Sequence, residues 1–290
     1  MTYAVVTPAH NEAANLARLL ASLAAQTLPP ERWVIVENGS TDGTLEVATK
    51  LQEAHPWIDV RSRPSSGPAD RGAPIVHAIH EGIDTLDRDD VAFDVVVVVD
   101  GDVTFPTDYF ETLVSRFEED ARLGMASGTC YEQVHGVWQE RHVTGDHVWG
   151  ASRAYRREVL PIVMPLEPRM GWDGIDQIKA NVAGWRTATF KDLPFYHHRP
   201  EGSRDGTGLK ARINQGRASH YMGYRLSYLL LRTLFALRKD PSAPGLLVGY
   251  SLEAAARRGR CPDPGVRRYV RTQQSATVWR RRLSEARGRR

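Results

Sequence analysis

Five consecutive valines, Val95 to Val99, followed at once by Asp100-Gly101-Asp102, constrain the fold of this chain more than any other stretch. The run is too short to cross a membrane and too β-branched to sit comfortably in a helix. It reads as a strand buried on both faces, the pattern of a parallel sheet covered by helices. In open α/β sheets, ligands bind in the crevice beyond the carboxyl ends of the strands. At that end two carboxylates stand one glycine apart. A strand that breaks into a turn can aim both at one cation, and Gly101 permits a close approach of backbone or ligand. Hard oxygen ligands in small number suit Mg2+ or Mn2+ already carrying substrate phosphates. The same residues also suit a plain turn cap. The strand end alone leaves both readings open.

The flanking sequence alternates strand and helix signals. Tyr3–Thr7 is a short apolar strand broken by Pro8, and Asn11 is placed to cap a helix carrying Leu16, Leu19, Leu20 and Leu23. Trp33–Val36 is a second strand. The polar loop Glu37–Thr44 then opens a helix through Leu45, Val47, Ala48 and Leu51. Ile58–Val60 is a third strand, Ser65–Gly72 a flexible loop, and Ile75–Ile83 a helix leading to the valine strand. Beyond it, Asp108–Phe117 reads as a helix, Met125–Cys130 as a strand, and another strand begins near Thr187. This alternation predicts an α/β fold with a parallel sheet of nucleotide-binding type. No G-x-G-x-x-G follows the first strand, which disfavours a dinucleotide site.

Composition narrows the class. In 290 residues, a 41% hydrophobic and 25% charged content is ordinary for a globular chain with a sizeable core. The formal charge of +3 is too small to argue for nucleic acid. Arginines crowd the segment from Arg257 onward, against only Asp263 and Glu285. Such a tail suits anionic lipid, a diphosphate, or water. Cys130 and Cys261 have no metal-like spacing, which points to a reducing compartment. No apolar signal core opens the chain, and no stretch approaches the roughly 18 apolar residues of a membrane span. The expectation is a cytoplasmic protein, soluble or peripheral on the membrane's cytoplasmic face.

Three loops thus stand at the carboxyl ends of strands, and their residues resemble a known family. Pro8-Ala9-His10-Asn11-Glu12, with Asn15-Leu16, Leu19-Leu20, Ser22-Leu23 and Gln26 behind it, is similar to the opening of family 2 glycosyltransferases with the GT-A fold. Glu37-Asn38-Gly39-Ser40-Thr41-Asp42-Gly43-Thr44 resembles that family's second signature, where aspartate is commoner than Glu37. Asp100-Gly101-Asp102 matches its metal-binding D-x-D. The resemblance covers about residues 3 to 200. It implies a GT-A catalytic domain over 1–205: a Rossmann-like, mostly parallel sheet flanked by helices. Residues 1–104 would form the nucleotide-sugar half, 105–205 the acceptor half, and 206–290 a helical, Arg-rich extension.

The resemblance also implies roles. The donor would be a UDP-, GDP- or dTDP-linked sugar. Pro8, Ala9, His10 and Glu12 would line its nucleoside, and Glu37, with Asn38 and Ser40, would accept from its base or ribose. Asp102 would hold Mg2+ or Mn2+ on the diphosphate, with Gly101 beside it and Asp100 nearer the ribose or donor sugar. Arg71 sits where a basic residue often lies near the donor. In Phe195-Tyr196-His197-His198-Arg199-Pro200, a histidine (His198) would touch metal or diphosphate, and Arg199 would stabilise the leaving group. Trp149–Arg157 resembles the stretch leading to an acceptor-side helix. Gly171-Trp172-Asp173-Gly174-Ile175-Asp176 matches the acidic motif at a helix start, although Trp172 stands where glutamate is common.

An inverting transferase needs a carboxylate to take the acceptor hydroxyl's proton. Asp173 is the candidate base, with Asp176 about one turn along as helper or alternative. Read without the family, the two form a helix cap and its capping-box partner. Gln215-Gly216-Arg217-Ala218 does not complete the Q-x-x-R-W of processive synthases, which favours a single transfer to an acceptor glycoside. The helices at Tyr224–Leu237 and Leu246–Ala256 either pack on the sheet, the commoner outcome, or lie on a membrane surface. Two other classes compete. In a haloacid-dehalogenase-type phosphatase, Asp100 would be the nucleophile and Asp102 the acid/base. In a non-catalytic module, the basic C-terminus would bind a membrane surface.

Overall fold

The computed structural model describes residues 1–64, 72–134, 136–141, 147–199, 208–238, 240–275 and 278. The chain forms two compact units, Met1–Pro200 and Glu201–Arg290. The first unit opens with β1 (Tyr3–Ala9), α1 (Ala13–Ala24), β2 (Arg32–Asn38), α2 (Thr44–Ala54), β3 (Ile58–Arg63), α3 (Ala73–Arg88) and β4 (Val95–Val99). It continues with β5 (Val103–Thr104), α4 (Tyr109–Glu119), β6 (Leu123–Val134), β7 (Val137–Glu140), β8 (Ser152–Arg156), α5 (Leu160–Val163), α6 (Trp172–Val182) and β9 (Arg186–His197).

The valine strand is buried on both faces, as its composition requires. Val95, Val97 and Val99 enter one core with Leu16, Leu19, Leu23 of α1 and Phe110, Leu113, Phe117 of α4. Val96 and Val98 enter the other, with Val76 and Ile79 of α3 and Trp172 of α6. β1 and β2 divide their side chains between the same two cores, so the unit is a sheet sandwiched by helices. Strand order is β3-β2-β1-β4-β8-β6-β9-β5, with β7 pairing β6 off this path. The pairs β1–β2, β2–β3, β1–β4 and β6–β9 are parallel. β8 runs antiparallel to both β4 and β6.

The order places the site. From β1 the chain winds outward through β2 and β3, then returns to lay β4 on the other side of β1. The boundary between β1 and β4 is therefore a topological switch point, where a crevice opens beyond the strand ends. One expectation is corrected here: Pro8 does not break the first strand, which runs to Ala9. Pairing of β1 with β4 ends at Val6↔Val98, while pairing with β2 continues to Ala9↔Glu37. Pro8 thus sits where one side of the strand has already lost its partner, and a missing N–H is tolerated there.

The second unit contains α7 (Leu209–Tyr221), α8 (Leu226–Ala236), α9 (Gly245–Ala255) and α10 (Pro264–Gln273). α7 and α9 touch backbone to backbone. A Cβ on Gly216 would lie 2.2 Å from the Leu246 carbonyl oxygen, and one on Gly249 would lie 1.9 Å from that of Ile213. No described helix is long and apolar enough to cross a membrane.

Gly82 of α3 provides a stability test. A Cβ there would meet Val6 Cγ1 at 2.3 Å, against a β-branched side chain with little freedom to move. Gly82→Ala is expected to cost about 1–3 kcal/mol through overpacking, despite alanine's better helix propensity. Urea unfolding measures it, and an unchanged or raised midpoint would contradict this packing.

Candidate active site

The loops after β1 and β2 are stitched together before any ligand is considered. Asn11 adopts a left-handed φ of 56°, so it does not cap α1, contrary to the sequence expectation. Glu12 occupies the N-cap position without a side-chain cap bond. The neighbouring loop satisfies the exposed N–H groups instead. Thr44 Oγ1 accepts from Glu12 N at 2.8 Å, and Asp42 Oδ2 accepts from Ala13 N at 3.1 Å. Asn11 in turn donates through its N–H to Ser40 Oγ at 3.0 Å and accepts at Oδ1 from Thr41 N at 2.9 Å. The His10 ring Nδ1 lies 2.9 Å from the Asn38 carbonyl. Glu37, 3% exposed, accepts from Ser40 N and, at 2.9 Å, from Ser62 Oγ. Pro8 and Ala9 end β1, Glu37 and Asn38 end β2, and His10, Glu12 and Ser40 follow in the interlocked turns beyond them. Arg71 and residues 202–207 lie outside the described residues.

At the switch point the carboxylates gather. Gly101 is needed because Glu12 leans on it: a Cβ there would lie 2.8 Å from Glu12 Cγ. The Arg199 guanidinium donates from Nη2 to both Glu12 carboxylate oxygens at 2.7 Å, and from Nε to Asp102 Oδ2 at 2.7 Å. His197 Nε2 lies 3.2 Å from Asp102 Oδ1, and its Nδ1 lies 3.7 Å from Glu132 Oε1. Burial pushes the Asp102 carboxyl up, but hydrogen bonds and charge from His197 and Arg199 outweigh it and hold the pKa at about 2. Burial likewise lowers His197, and Asp102, Asp100 and Glu132 reverse that and raise it. Asp102 is therefore a firm anion at neutral pH.

One atom each from Asp100, Asp102 and His197 lies within 4.8 Å of the others. Two carboxylates and one imidazole form a donor set that fits Mn2+ or Mg2+. The histidine in this set is His197, where sequence reasoning selected His198. The structure places His198 elsewhere: its Nε2 is 2.9 Å from Thr104 Oγ1 and its ring packs edge-on to Trp138. The reason is strand alternation, since His197 pairs with Val103 at the last β5–β9 rung and its neighbour turns to the other side.

The acidic motif separates into two unlike residues. Asp176, 1% exposed, is locked in an ion pair: Arg153 donates from Nε at 2.9 Å and Nη2 at 2.6 Å, and Tyr155 Oη donates at 2.6 Å. Arg153 is itself fully buried and also donates to the carbonyls of Val148 and Asp173. Asp176 therefore fastens α6 to β8, and the expectation that it assists as a base is corrected. Asp173 sits in the first turn of α6 behind Gly171, which occupies the N-cap with φ 87°. It is half-buried, and a Cβ on Gly150 would lie 3.7 Å from its Oδ2. Next to Gly150, the Ala151 carbonyl accepts from Asp100 N at 3.1 Å. Asp173 thus borders the end of the valine strand.

Sequence reasoning did not single out Glu132, Arg153 or Thr44. Arg153 lies within a stretch whose resemblance was visible, but its partner is 23 positions away. Nothing local marks Glu132, which faces His197 only across a long-range strand pairing.

Residues 4–161, more than half of the chain, match the sequence profile of Glycosyl transferase family 2. A curated relative, the "Uncharacterized glycosyltransferase YibD" of Escherichia coli (strain K12), is 26% identical over 136 residues, covering 47% of this chain and 36% of the relative. The matched regions span only 19% and 36% of the lengths of the curated relatives. Among solved structures, the mannosyltransferase PcManGT of Pyrobaculum calidifontis, in complex with GDP-Man and Mn2+, is similar with a TM-score of 0.54 at 18% identity. That match covers 94% of this chain and 83% of the other. TarS of S. aureus in complex with UDP-GlcNAc gives 0.53 at 16% identity, over 88% and 73% of the two chains.

The assignment of Asp176 to structure has a direct test. Removing one partner of a buried ion pair costs about 3–5 kcal/mol, so Arg153→Ala is expected to lose that much stability in denaturant unfolding. Asp176→Asn is expected to be destabilised in the same direction. A variant at 176 with wild-type stability and abolished turnover would return Asp176 to the chemistry.

Proposed function

The chain belongs to glycosyl transferase family 2, and we propose that it moves one sugar from a nucleoside-diphosphate donor to an acceptor hydroxyl, with inversion. The fold is that of the GT-A transferases. The observation that carries the reading is the buried Asp102, flanked by Asp100, His197 and Arg199 at the switch point of the sheet. Family membership leaves no place for the phosphatase, in which the first two loops had no role. It also argues against a non-catalytic module. That proteins of the same fold have been solved with GDP-Man and Mn2+ and with UDP-GlcNAc supports a nucleotide sugar as donor.

Each residue then has a task. The interlocked loops at His10–Glu12 and Glu37–Thr44 receive the nucleoside, with Glu37 accepting from base or ribose. Asp102, Asp100 and His197 would hold Mg2+ or Mn2+, which when bound stabilises the charge of the leaving diphosphate. Arg199, already between two carboxylates, has a guanidinium suited to diphosphate oxygens. Asp173 takes the acceptor proton as the acceptor oxygen bonds to the anomeric carbon and the bond to the diphosphate breaks. The acceptor class is a glycan, a lipid-linked sugar or a small glycoside.

A thermal-shift screen of UDP-, GDP- and dTDP-sugars with Mn2+ identifies the donor, because a ligand bound only to the native state stabilises it by mass action. Asp102→Ala is expected to remove the Mn2+-dependent part of that shift. Asp173→Asn is expected to keep it while turnover falls roughly 10²–10⁴-fold. Full activity in Asp173→Asn would overturn the base assignment. Retention at the anomeric carbon, read by NMR of the product, would overturn inversion.

A further inference from the structure

Helix α8 is the least covered helix of the second unit for its apolar content. It buries only Leu229 and Thr233. Leu226, Leu230, Leu231, Leu234, Phe235 and the following Leu237 are 43–61% exposed. Leu226, Leu230, Leu234 and Leu237 recur at helical spacing and so form one stripe. Isolated exposed leucines need no explanation, but a contiguous stripe along one helix does.

Charge identifies what covers it. Between Tyr224 and Lys239 there is no acidic residue, while Arg225, Arg232 and Arg238 are exposed. Arg257, Arg258 and Arg260, just past α9, are exposed too. The described acids of the second unit are already engaged: Asp240 pairs with Arg212 at 2.6 Å, Glu253 pairs with Arg217 at 3.6 Å, and Asp263 caps α10. The apolar stripe therefore lies within an uncompensated cationic rim. A second copy of this surface would set arginine against arginine. A bilayer with anionic headgroups offers the opposite sign beside hydrocarbon. At 1.5 Å per residue the helix is about half as long as the hydrocarbon core is thick, so it lies in the interface rather than crossing it.

We infer that the exposed face of α8 docks this protein on an anionic phospholipid surface. The inference is independent of the sugar transferred.

Co-sedimentation of the full chain with vesicles tests it, using phosphatidylcholine alone or phosphatidylcholine with phosphatidylglycerol. With about 1 kcal/mol per arginine at the surface, the partition coefficient is expected to be at least about tenfold higher on the anionic vesicles. The double substitution Leu230→Glu and Leu234→Glu, at exposed positions, is expected to abolish that gain and leave the melting temperature unchanged. Wild-type protein that stays in the supernatant with both vesicles overturns the proposal. So does vesicle binding unaffected by the double substitution, which would assign it to the arginine-rich tail. A concentration-dependent dimer that the same substitution disperses, seen by light scattering, would identify a second copy as the occupant instead.

Discussion

Two buried carboxylates share one guanidinium, and the candidate active site is built around that contact. Glu12 comes from the end of β1 and Asp102 from the end of β4, and Arg199, just past β9, supplies the cation that holds both. Three strand ends distant in sequence are thereby drawn to one point. His197 adds a second positive partner to Asp102, and Glu132 sits at the opposite nitrogen of the same ring. In the proposed function, a divalent cation and a diphosphate would satisfy the same carboxylates and the same guanidinium in a different arrangement.

The hydrophobic pattern makes this convergence possible. Valines alternating between two cores demand helices on both faces, which forces parallel strands with long crossovers. The outward winding from β1 to β3 and the return to β4 then produce the switch point. The chemistry sits on short loops whose shape is fixed by one another. Asp42 and Thr44 satisfy the N-terminus of α1, and Gly101 makes room for Glu12. The buried Arg153–Asp176 pair fastens α6 to β8, and Arg153 also donates to the Asp173 carbonyl, so the half-buried Asp173 is presented at a set position.

Much of this was legible before the fold was known. The valine run announced a doubly buried strand, and the loops after the first, second and fourth strands carried chemistry in the order the sheet later assembles. What sequence could not supply was pairing across the sheet. His197 and His198 are adjacent and chemically identical, and only the β5–β9 register decides which one meets Asp102. Asp173 and Asp176 look like equivalent acids on one helix, yet Arg153, from another strand, makes one of them structural. Pro8 reads locally as a breaker, and the uneven ends of the β1 pairings allow it to stay in the strand.

Asp102 and His197 are proposed to form a site for a divalent cation that donor binding uses. Electron paramagnetic resonance of Mn2+ in the presence of a nucleoside diphosphate reads that site without requiring turnover or knowledge of the acceptor. A protein-bound Mn2+ signal is expected in the wild type, lost in Asp102→Asn and weakened in His197→Ala, but preserved in His198→Ala. A bound signal unchanged in Asp102→Asn, or lost in His198→Ala and kept in His197→Ala, would contradict it.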